Sequence, residues 1–129
     1  MKKTFLVLAC FVFFLIAGSF SGPVQHAPSL EGTWELQSFY NYDGQNIIDT
    51  VKKADGYRQV KMYSKGKIMW TRYVPDEPNG RFGYGSYKVS DGMLMETIEY
   101  GDAEMMKALD TMRLFSFELV LGEDTFSQI

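Results

Sequence analysis

From Gly32 onward, apolar and polar residues alternate in short runs, and turn-forming dipeptides separate the runs. Alternate side chains of a strand share a face, so each run turns one apolar face toward a core. Such a chain folds as an antiparallel sheet. Two hairpins carry most of this information. Residues 57–64 and 67–74 flank Lys65-Gly66. With that dipeptide as the loop, Ser64 faces Lys67, Tyr63 faces Ile68, Lys61 faces Trp70 and Gln59 faces Arg72. One face then carries Tyr57, Gln59, Lys61, Tyr63, Ile68, Trp70, Arg72 and Val74, and the other Val60, Met62, Met69, Thr71 and Tyr73. A one-residue slip would exchange the faces of one strand. Residues 82–90 and 93–100 flank Asp91-Gly92, which pairs Val89 with Leu94, Tyr87 with Glu96 and Gly85 with Ile98. Gly83 and Gly85 suit a bulge that curls the sheet.

The remaining segments fill in the same architecture. Residues 33–40 predict one strand, with Trp34, Leu36, Ser38 and Tyr40 on one face. Between the turn signals Asp43-Gly44 and Asp55-Gly56, Ile47, Ile48 and Val51 fit a helical turn or a short lid. Residues 75–80 are a loop. Residues 101–112 change period: Met105, Leu109 and Met112 recur at helical spacing and Asp102 can cap. They predict a short helix packed on the sheet, with a mobile lid as the alternative. Residues 113–121 and 125–129 are strands around Gly122-Glu123-Asp124. The predicted fold is all-β, an antiparallel up-and-down barrel of about seven to eight strands with one short helix. It spans residues 31–129. Ile129 falls inside a strand pattern, so the natural domain is expected to continue with one or more strands.

Residues 1–22 read differently. Lys2 and Lys3 precede an unbroken apolar run, residues 5–17, followed by small residues. This is the layout of a cleavable signal peptide, and the run is short for a membrane span. The expected location is secreted or periplasmic, with a membrane anchor if the leader is not cleaved. Cys10, the only cysteine, lies within the apolar run rather than at its end, which argues against lipid attachment there. The mature domain therefore has no disulfide or thiolate chemistry. Residues 23–30 form a tether holding His26, the only histidine. Loss of the leader leaves 11 basic against 16 acidic residues, a poor balance for binding nucleic acid.

Gly32-Thr33-Trp34 resembles the opening of a lipocalin, whose first strand carries Gly-x-Trp with the Trp closing the barrel floor. The wider pattern agrees: Leu30-Glu31-Gly32-Thr33-Trp34-Glu35-Leu36, then Lys67-Ile68-Met69-Trp70, Gly85-Ser86-Tyr87 and Glu96-Thr97-Ile98-Glu99-Tyr100. Together these resemble the lipocalin-like proteins secreted by bacteria, over residues 30–129. The resemblance implies a barrel with an internal cavity and leaves the ligand open. Two lipocalin features are not found: a basic residue on a last strand packing across the opening Trp, and a Thr-Asp dipeptide followed by Tyr.

No metal-ligand cluster, phosphate-binding glycine loop or cofactor motif is legible. The candidate ligand-binding set is Trp34, Tyr63, Trp70, Arg72, Tyr87 and Glu96, an aromatic-lined interior with a polar centre in which the Glu96 pKa is raised unless a cation such as Arg72 neutralises it. A purely internal Arg–Glu–Tyr network is the alternative for the same residues. The expected function is binding of a small hydrophobic or amphipathic molecule in the barrel. The alternatives are a structural or interaction module with a filled barrel, carrying an outer patch of Val60, Met62, Met69 and Tyr73, and an enzyme using Glu96 and Tyr87 as acid and base.

Overall fold

The structure, a computed structural model, describes residues 29–129. The leader, Cys10, His26 and most of the tether lie outside the described residues. Among the described residues nine strands and one helix follow in order: β1 (Gly32–Glu35), β2 (Phe39–Tyr42), β3 (Ile47–Val51), β4 (Arg58–Ser64), β5 (Lys67–Tyr73), β6 (Arg81–Ser90), β7 (Met93–Gly101), α1 (Ala103–Leu109), β8 (Leu114–Leu121) and β9 (Phe126–Gln128). Seven strands form one sheet in the order β1-β4-β5-β6-β7-β8-β9, and β2 pairs with β3 alone. Every neighbouring pair is antiparallel, so β1 and β9, at the two edges, run the same way. The sheet curls into a half-barrel, and the all-β expectation with one short helix holds.

Both expected hairpin registers are the observed ones. Tyr63 pairs with Ile68, Lys61 with Trp70 and Gln59 with Arg72 across β4 and β5. Val89 pairs with Leu94, Tyr87 with Glu96 and Gly85 with Ile98 across β6 and β7. Each turn puts both central residues at positive φ, 50° and 78° at Lys65-Gly66 and 52° and 72° at Asp91-Gly92. That geometry matches the right-handed strand twist and is easiest with glycine second. The expected irregularity falls between Tyr84 and Gly85. Gly83 answers a close approach instead: a Cβ there would collide with the Trp70 indole.

Three expectations are corrected. Residues 33–40 are not one strand, because β1 ends at Glu35 and β2 begins at Phe39. The segment holding Ile47, Ile48 and Val51 is not a helical turn; it is β3, paired with β2 in an exposed hairpin. Asp43 Oδ1 sets that turn by accepting from the amides of Gln45 and Asn46 at 2.8 and 2.7 Å. The helix is shorter than 101–112, so Met105 and Leu109 are buried while Met112 is exposed.

The core lies on the concave face, with Tyr63, Ile68, Leu94 and Ile98 essentially closed off from water. Burial of each such side chain contributes about 1.5–3 kcal/mol. Met105 and Leu109 of α1 join the same cluster, with Leu30. Asp102 caps α1: its Oδ1 accepts from the amides of Glu104 and Met105, and its Oδ2 from that of Phe82 on β6. One carboxylate thus starts the helix and fastens it to the sheet.

Candidate functional site

Four polar side chains meet on the concave face. Period-two alternation turns Lys61 and Tyr63 of β4 inward, and Glu96 of β7 and Gln128 of β9 converge on them. Tyr63 Oη donates to Glu96 Oε2 at 2.6 Å. Lys61 Nζ donates to both Glu96 oxygens, at 3.2 and 3.1 Å, and to Gln128 Oε1 at 2.7 Å. The charged side chains are only 12% and 5% exposed for Lys61 and Glu96. Aromatic rings enclose them. Lys61 Nζ lies 5.6 Å from the centre of the Phe117 ring. Phe126 meets Trp34 edge-on at 4.9 Å, and Tyr63 meets Tyr87 edge-on at the same separation.

Two ionisations are displaced from ordinary values. Burial lowers the pKa of Lys61, opposed by the charge of Glu96 and its hydrogen bond. Burial raises that of Tyr63, and the charge of Glu96 and the hydrogen bond it accepts raise it further. Tyr63 therefore acts as a hydrogen-bond donor at neutral pH.

The sequence-predicted set is only partly assembled. Tyr63 and Glu96 are buried and bonded to each other. Trp34 is half-buried and donates its indole N–H to Leu30 O at 2.7 Å. The expectation that Arg72 neutralises Glu96 is corrected: Arg72 Nη2 donates to Glu77 Oε1 at 2.6 Å, and the cation on Glu96 is Lys61. Arg72 lies four pairs further along the β4–β5 ladder than Tyr63, at the end reached by the loop carrying Glu77. Tyr87 pairs with Glu96 in register, yet its hydroxyl is directed to Glu31 Oε1 at 3.4 Å. Burial, then the charge of Glu31, raises the Tyr87 pKa. Trp70 is half-buried over Gly83. Lys61 and Gln128 were not singled out from the sequence. Lys61 carried a usable signal, since a cation at an inward position of an alternating strand needs a buried partner.

Around this centre the wall is uneven. The β5–β7 side is buried, whereas Phe115, Phe117, Leu119 and Leu121 of β8 point inward but stay half-buried. A cavity of about 230 Å³ opens beside Leu121, lined also by Ser29, Leu30, Tyr87 and Val89. Among the described residues, no group of three His, Cys, Asp or Glu is placed to hold a metal ion. No described helix is long and apolar enough to cross a membrane.

Fold and site together define an all-β half-barrel with a polar centre inside an apolar, aromatic wall. Comparison with protein-family models, curated proteins and solved structures finds no match to the chain.

Proposed function

We propose that this is a secreted or periplasmic lipocalin-like protein that binds a small hydrophobic or amphipathic molecule on the concave face of its half-barrel. The observation that carries this reading is the half-covered inner wall of β8, Phe115, Phe117, Leu119 and Leu121, beside the Lys61–Glu96–Tyr63 centre. A core filled by its own side chains would cover those four as fully as it covers Leu94 and Ile98. An apolar wall with a few fixed polar groups is how small-molecule sites gain both affinity and orientation. Residues 1–22 supply the export signal, and the lipocalin-like opening at Gly32-Thr33-Trp34 accords with a ligand-holding barrel.

Native mass spectrometry of the purified protein tests the reading. A retained small molecule that is released on denaturation is expected. A spectrum of bare protein alone would favour the interaction module. That second reading has its own support on the convex face, where Met62, Met69 and Tyr73 are 44–55% exposed. Val60, expected beside them, is only half-exposed.

A further inference from the structure

The end of the half-barrel nearest the β2–β3 hairpin contains two arginines that the polar centre does not use. Arg72 and Arg81 are direct partners across β5 and β6, on the same inward face as Trp70. Like charges placed opposite one another disfavour a sheet unless something between them is negative. Their acids compensate incompletely. Glu77 sits on a loop with its side chain 44% exposed and takes one hydrogen bond, from Arg72 Nη2. Asp102 spends its oxygens on three backbone amides and leaves Arg81 a long contact, Nε to Oδ1 at 3.5 Å. Although that contact counts as an ion pair by distance, its geometry makes no hydrogen bond. The Nε atoms of both arginines are buried with no hydrogen-bond partner among the described residues. A buried N–H without an acceptor is destabilising, so two at one place call for an explanation.

The surroundings specify what would supply it. The Arg72 guanidinium carbon lies 5.7 Å from the centre of the Tyr57 ring, and that of Arg81 lies 6.0 Å from Trp70. Aromatic contacts of this kind leave the N–H edges of the guanidinium free for a planar oxyanion. Phe39 of β2 meets Tyr57 edge-on at 5.7 Å and pairs with Val51 of β3, both partly exposed. Charge and rings are therefore presented together. We infer that Arg72 and Arg81 bind the carboxylate of a small aromatic acid whose ring lies among Phe39, Tyr57 and Trp70. This goes beyond the small-molecule reading above, because the Arg72–Arg81 end lies at the other end of the strands from Leu119 and Leu121.

Calorimetric titration of the purified protein with 2-naphthoate, its neutral counterpart 2-naphthalenemethanol, and acetate tests it. Naphthoate is expected to bind at least about tenfold more tightly than the alcohol, the margin of one charge-assisted hydrogen bond. Arg81→Gln is expected to remove that preference, and Arg81→Lys to restore part of it. Arg72→Gln should act like Arg81→Gln, so a folding failure of one variant leaves the other as the test. Equal binding of naphthoate and alcohol overturns the carboxylate site while leaving the small-molecule reading intact. Acetate binding as tightly as naphthoate overturns the aromatic part. Binding of neither naphthalene compound overturns this inference, and the mass spectrum of the purified protein then decides the broader reading separately.

Discussion

Lys61 and Glu96 are opposite charges on strands that are not neighbours in the sheet, so their ion pair exists only because the sheet curls. Once buried, they depend on each other. Lys61→Met is expected to destabilise the protein by about 3–5 kcal/mol, because it leaves a buried carboxylate without its cation. Replacing both, as Lys61→Met with Glu96→Gln, should cost markedly less than the two single changes together. Urea denaturation of the three variants measures this, and additive losses would argue against a coupled pair. Tyr63 adds a pH signature. Its pKa in the folded chain is raised above the ordinary 10.0 by burial and then by Glu96. Above pH 10 the unfolded chain has lost that proton while the folded chain keeps it, so this tyrosine's contribution to stability falls as pH rises. The Tyr63→Phe variant lacks that loss. Its stability relative to the unaltered protein should improve as the pH passes 10, and an unchanged difference would show that Tyr63 titrates normally.

At the level of elements, the pairings that involve few choices are the ones visible in the sequence. A two-residue loop at Asp91-Gly92 and strict alternation on either side leave one register that buries Leu94, Glu96 and Ile98 together, and that register is observed. Which inward cation fills the centre was not visible. Alternation shows that Lys61 and Arg72 both face inward, but which one reaches Glu96 depends on curvature across non-adjacent strands, which no local pattern records. The break after Glu35 left a trace that the alternation reading passed over, since Ser38 and Phe39 fall out of the phase that Trp34 and Leu36 begin. Two elements lend themselves to direct tests. Asp102→Ala removes the acceptor of three backbone amides and should cost about 1–2 kcal/mol, with faster hydrogen exchange across α1. Gly83→Ala forces the Trp70 indole off the strand, with an expected cost of about 1–3 kcal/mol and a red shift of tryptophan emission. Unchanged emission would mean that the ring has room to stay.

For the whole molecule, stability should be graded from the middle of the sheet to its margins. β5, β6 and β7 each have partners on both sides, whereas β1 and β9 have one apiece. Backbone amides of β1 and β9 are expected to exchange with solvent well before those of β6. Uniform protection would point to a different arrangement of the margins. Those margins approach without a shared ladder. Trp34 touches Phe126, and Lys61 holds Gln128, but no backbone pairing joins β1 to β9. The shell is thus fastened along one line by rings and a single amide, like a locket on a clasp rather than a sewn purse. Parting that clasp breaks no strand pairing, so among the described residues this seam is the contact the sheet can lose with every ladder intact.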